Sequence, residues 1–89
     1  MNKREFKDRV YDELAKITKA MANPHRLEII ELLAQGDYSV EQISLQTNLT
    51  IANASQHLQV LKTAQLVEVT RKGNFINYRL ANVNVFKAW

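Results

Sequence analysis

Asn53, Gln56 and Gln59 stand at three-residue intervals inside TIANASQHLQVLKTA, the stretch from Thr50 to Ala64. Their amides are the groups of this chain best suited to reading another polar edge. At about 100° per residue they share the outer side of a helix with Ala52 and Val60. Ile51, Ala54, Leu58 and Leu61 fall on the opposite, apolar stripe, with Thr50 as N-cap. The segment contains no acid. Asn and Gln pair bidentately with adenine and an Ala methyl can touch a thymine methyl, so such a face suits the DNA major groove. A ligand-free surface helix rich in amides would carry the same residues, and the flanking segments have to decide.

Other chemistry finds little support. Ser55 and His57 are two apart on this helix and do not face each other, which removes a nucleophile and base pair. Asp12 and Glu13 diverge in the same way. His25 and His57 are the only imidazoles and there is no cysteine, so no metal-ligand spacing exists; His57 borders the buried stripe and is expected to pack there with a hydrogen bond. With Gly36 and Gly73 the only glycines, no phosphate-cradling loop can form. The residues imply no enzyme, no metal and no cofactor.

Eighty-nine residues make one small domain, expected across 1–89. It would bury about 60 to 65% of its unfolded surface and so gains from a partner. Absence of cysteine fits a reducing compartment, no apolar run reaches membrane-span length, and MNKREFKDR lacks a signal-peptide core, so a cytoplasmic protein without membrane contact is expected. The net charge of +3 is unevenly placed: residues 62–89 carry five Lys and Arg against Glu68, whereas residues 38–61 carry Glu41 alone. An uncharged reading surface beside a basic margin is the division expected when bases specify and phosphates position.

The elements that must hold this surface follow from caps and periodicity. A helix over 3–22 starts at Asn2 with Glu5 three residues on, a capping-box arrangement, and aligns Phe6, Val10, Leu14, Ile17 and Met21. It has enough apolar stripe either to cover its own core or to meet a second subunit. Asn23-Pro24 opens a buried helix bearing Leu27, Ile29, Ile30, Leu32 and Leu33, ending before Gly36 as C′ residue. Ser39 and Gln42 form a capping box for a short helix directing Val40, Ile43 and Leu45 to the core, and Thr47-Asn48-Leu49 turns into Thr50. Two helices so joined have helix-turn-helix spacing.

After Gln65 the period becomes two. A Gly73-Asn74 loop would pair Val69 with Tyr78 and Val67 with Leu80, leaving Arg71, Lys72 and Asn74 at the tip and Arg79 on the outer face. Asn82 would cap a last helix with Val83, Phe86 and Trp89. Its end after two turns on a tryptophan points to a dimer contact or to a chain cut from a longer one. The expected fold is mainly α with a β-hairpin wing, a winged helix-turn-helix of about five helices and two strands.

In this order, NPHRLEII, SQHLQVLKTAQLV and RKGNFINYRL resemble the ArsR/SmtB family of bacterial winged-helix transcriptional repressors, from about Phe6 to Leu80. The ANASQHLQVL run looks most like members that precede a C-terminal rhodanese domain. The resemblance implies a homodimer formed by the first and last helices, bound to a palindromic operator and released by an inducer that the chain does not identify. It also exposes departures. The family's cysteine pair for metals or arsenite falls at Ser39 and Glu41, its zinc-binding Asp and His fall at Asn82 and Asn84, and its glycine ahead of the wing is Gln65, a left-handed position costing roughly 1 kcal/mol for a residue with a Cβ.

The expectation is a regulator binding double-stranded DNA. Asn53 and Gln56 would contact base edges, Thr50, Ser55, Gln59 and Lys62 would lie in or beside the groove, and Arg71, Lys72 and Asn74 would meet the backbone or minor groove. Phe6, Val10, Leu14, Val83, Phe86 and Trp89 would form the dimer contact. The alternative is a winged helix used for protein contact, against which the Thr50–Ala64 helix offers no large aromatic.

Overall fold

The computed structural model describes residues 2–81. The expected last helix, with Val83, Phe86 and Trp89, lies outside them. Four helices and a hairpin follow in order: α1 (Lys3–Met21), α2 (Pro24–Leu33), α3 (Val40–Thr47), α4 (Ile51–Thr63), β1 (Val67–Lys72) and β2 (Phe75–Leu80). This is a mainly helical, winged helix-turn-helix architecture.

Each helix starts where a short polar side chain can take up backbone donors. Asn2 accepts from the Glu5 amide at 2.8 Å, though Glu5 answers the Asn2 side-chain amide rather than closing a capping box. Asn23 accepts from the amides of His25 and Arg26, with Pro24 as the first helical residue. Ser39 and Gln42 close the reciprocal box at 3.2 and 2.9 Å, and Thr50 accepts from Asn53 at 3.1 Å.

The ends are equally local. Asn48 adopts φ 57° after α3, and Leu49 closes the turn by donating its amide to the Ser44 carbonyl at 3.1 Å. Gln65 adopts φ 63° after α4, with its amide on the Lys62 carbonyl and the Leu66 amide on the Leu61 carbonyl, both at 2.9 Å. These two bonds form a Schellman motif with a glutamine in the glycine seat. Gly36 does not play the C′ part expected of it. The cap of α2 is Ala34 in right-handed conformation, and Gly36 has no positive φ.

The core lies under α4. Ile29 of α2, Ile43 of α3 and Leu58 and Leu61 of α4 are fully buried, joined by Ala20, Leu33, Ala54, Leu66 and Val67. Leu45, Leu27 and Ile51, expected on buried faces, are exposed. Leu45 is 82% exposed because it sits two residues, about 200°, from Ile43 and so points directly away from the core. Leu27 is exposed for the same reason, since it sits two residues from the fully buried Ile29 of α2. Ile51 is 51% exposed although it lies near the Leu58 meridian, because it precedes Ala54, where the packed layer under α4 starts.

The hairpin register matches the alternation: Val67 faces Leu80, Val69 faces Tyr78, and Lys72 faces Phe75 across the Gly73-Asn74 loop. Gly73 alone in that loop has positive φ, at 60°, as a II′ turn needs. Toward the tip the apolar face outruns the body, leaving Ile76 exposed, while Phe75 is exposed on the opposite face beside Lys72. An unforeseen backbone bridge anchors the wing: the amide of Tyr38 donates to the Tyr78 carbonyl at 3.1 Å and that of Tyr78 to the Tyr38 carbonyl at 2.8 Å. The α2–α3 loop thus contributes a stub of third strand.

Candidate nucleic-acid interface

The outer side of α4 is presented by an inner side that cannot move independently. Ala54, Leu58 and Leu61 are at most 1% exposed, so the helix is clamped along its length. Thr50, Asn53, Ser55, Gln56, Gln59 and Lys62 are all exposed. Going around the helix, Lys62 and Ser55 lie at one edge, Gln59 and Gln56 in the middle, and Asn53 at the other edge.

Their hydrogen-bonding capacity is mostly unspent. The Thr50 hydroxyl oxygen is occupied by the Asn53 amide, which leaves its proton free to donate. Gln59 Nε2 donates to Thr63 Oγ1 at 3.2 Å and keeps its carbonyl and a second N–H. The side chains of Asn53, Ser55 and Gln56 bond to none of the described residues. With no acid on α4 and Lys62 in its last turn, the surface presents donors and acceptors without repelling a polyanion.

Arg71, Lys72 and Asn74 are exposed together at the hairpin tip, and neither cation pairs with an acid among the described residues. Arg79 differs. Its Nε bonds Glu68 Oε1 at 2.6 Å across the strands, so the outer face of the wing is locally neutral and the positive charge is at the tip.

One feature escaped periodicity. A cleft of about 500 Å³ between α1 and α4 is lined by Lys16, Lys19 and Arg26 together with Gln59 and Val60. Val60 thus faces α1 at the edge of the amide surface, beside Gln59, and Lys19 and Arg26 add cations there. Only the crossing of the two helices brings them together, so no local signal could have found them. Lys16 is shared with Glu13 at 3.2 Å.

His57 packs at the border of the core as expected. Its Nδ1 lies 3.4 Å from Arg26 Nη1, and its ring is tilted 38° to that of His25 at 5.6 Å between centroids. Burial, then the Arg26 charge, then His25 hold its pKa below the ordinary 6.5. No group of three His, Asp or Glu that could hold a metal occurs among the described residues. Ser39 is spent capping α3. Of the expected dimer residues, Phe6 is exposed and Val10 and Leu14 are half-buried along α1, while Val83, Phe86 and Trp89 lie outside the described residues. No helix among these is long and apolar enough to cross a membrane.

Residues 23–69 match the family model described as bacterial regulatory protein, arsR family. The chain is 45% identical over 74 residues to the HTH-type transcriptional regulator Rv0324 of Mycobacterium tuberculosis, covering 83% of this chain but 33% of that protein. It is 38% identical over 64 residues to the transcriptional repressor SdpR of Bacillus subtilis, covering 72% of this chain and 71% of the repressor. Among solved structures it is similar to the homodimeric winged helix-turn-helix DNA-binding domain Mb0332 of Mycobacterium bovis, with TM-score 0.83, 40% identity, and 99% and 80% of the two chains covered. These relatives are named as regulators of transcription, not as enzymes. The match runs from the cap of α2 through the whole helix-turn-helix into β1, and this chain belongs to the ArsR family of bacterial regulatory proteins.

Proposed function

We propose that this chain is a repressor that binds a palindromic DNA operator as a homodimer in the cytoplasm. Asn53 and Gln56 read base edges in the major groove. Thr50, Ser55, Gln59 and Lys62 fix the helix against the groove walls, and Arg71, Lys72 and Asn74 meet the backbone or minor groove beside it. The outer stripe of α1, from Phe6 through Val10 to Leu14, supplies part of the dimer contact. The carrying observation is that α4 buries Ala54, Leu58 and Leu61 and offers an acid-free amide face outward, with a basic hairpin tip on the same polypeptide. The homodimeric state of the Mb0332 domain and the repressor name of SdpR support the finer points. The ANASQHLQVL run supports the further reading that the chain belongs with the rhodanese-linked members.

A twofold axis would place two α4 helices in successive major grooves, about 34 Å apart. Selection of bound fragments from a random-duplex pool should therefore return an inverted repeat with half-sites about ten base pairs apart. Recovery of unrelated fragments would contradict sequence reading. The exposed Leu45 and Phe75 favour a second reading, a module for protein contact, and that same result would support it.

A further inference from the structure

Ile51 is the first residue of α4, and the structure exposes half of it where the helical period would bury it. A lone exposed isoleucine means little by itself. This one lies one turn before exposed Ser55, at the edge of the outer side, on the end that enters a groove first when a recognition helix reads DNA. Its branch at Cβ leaves one strongly preferred χ1 rotamer in a helix, so little freedom is lost when a surface closes on it.

We infer that Ile51 is a specificity-determining residue that reads the C5 methyl of a thymine, and that each operator half-site carries that thymine opposite the first turn of α4. This rests on the DNA-reading role proposed above. In the major groove only the thymine edge offers an apolar group; guanine and adenine show acceptors there, and adenine and cytosine an exocyclic amine. An aliphatic side chain pressed on those edges would leave a polar group without a partner, so Ile51 both favours thymine and rejects the other bases. Asn53 and Gln56 cannot supply this discrimination, because amides make their pairs with adenine. The half-site is thereby expected to mix an amide-read adenine with a methyl-read thymine.

The test uses the operator obtained by random-duplex selection, with each thymine replaced in turn by uracil, which removes the methyl and nothing else. Binding is measured for the wild-type protein and for Ile51→Ala. One thymine per half-site should be found whose replacement weakens wild-type binding roughly fourfold, the worth of one buried methyl, and leaves Ile51→Ala unaffected. Ile51→Val, which keeps the branch, should retain the sensitivity, and thermal unfolding of both variants should match wild type because the side chain supports no core. If every uracil replacement affects wild type and Ile51→Ala alike, the inference is wrong while DNA reading stands. If no operator can be selected, both fall together.

Discussion

Arg26 Nη1 lies 3.4 Å from Nδ1 of His57, and this contact ties α2 to the helix proposed to read DNA. The same guanidinium donates through Nε to the Ala20 carbonyl at 2.5 Å and through Nη2 to that of Lys19 at 3.5 Å. One planar group therefore satisfies two carbonyls at the end of α1 and a ring on α4. Arginine can do this because its donors are fixed in a fork. Arg26→Ala should cost about 1 to 3 kcal/mol, mostly from the Ala20 carbonyl left without a donor, since that of Lys19 keeps the Ala22 amide, and Arg26→Lys should recover only part of it. Urea unfolding midpoints at unchanged slope provide the check; a loss below about 0.5 kcal/mol would show that water replaces the side chain.

The burial of His57, with Arg26 beside it, also makes stability depend on pH. His57 is held below its ordinary 6.5 by burial, then by Arg26, then by His25. Its folded-state pKa is therefore lower than its unfolded one, and on acidification the unfolded chain takes up the proton first. The neutral ring's contribution is fully present above about pH 6.5 and is lost as the pH falls toward the lower, folded value. Thermal midpoints measured from pH 7.5 down to 5 should decline in wild type and decline less in His57→Asn. Parallel curves would remove His57 as the cause.

Ile43 and Leu45, two residues apart on α3, should behave oppositely. Ile43 is fully buried and Leu45 is 82% exposed. Ile43→Ala should cost about 2 to 5 kcal/mol through lost burial and a cavity, whereas Leu45→Ala should stay within about 0.5 kcal/mol. Chemical denaturation of the two variants distinguishes this arrangement from one in which α3 is rotated to bury Leu45.

Gln65 occupies the left-handed seat of the Schellman motif at φ 63°. A residue with a Cβ pays roughly 1 to 2 kcal/mol there, partly offset by glycine's larger unfolded-state entropy. Gln65→Gly should raise stability by up to about 1 kcal/mol without altering the wing. Lower stability in that variant would mean the glutamine side chain makes contributions that outweigh its backbone strain.

What the sequence reveals and conceals divides by distance along the chain. The four helix starts were legible because Asn2, Asn23, Ser39 and Thr50 act on amides two or three residues away. The register of the wing was legible because a two-residue Gly73-Asn74 loop permits one pairing, with Val69 against Tyr78. Periodicity gave the direction of Ala54, Leu58 and Leu61 correctly. It cannot say where the packed layer stops, and Ile51, inward by period, is half exposed. Leu45 suggests the core by its type alone, but a spacing of two from Ile43 turns it to the opposite side of α3. The Tyr38–Tyr78 bridge, the reach of Arg26 to Ala20 and His57, and the cationic cleft against Val60 are set by how elements cross. Those contacts leave no trace in any short window.

If the amide face of α4 distinguishes one DNA sequence from others, Gln56, in the middle of that face, carries much of the discrimination. Affinities of wild type and Gln56→Ala should be compared at one salt concentration on the selected operator and on a random duplex of equal length. A loss of about 1 to 3 kcal/mol on the operator with little change on the random duplex is expected. Equal losses on both, or none on either, would contradict the claim that this helix reads sequence.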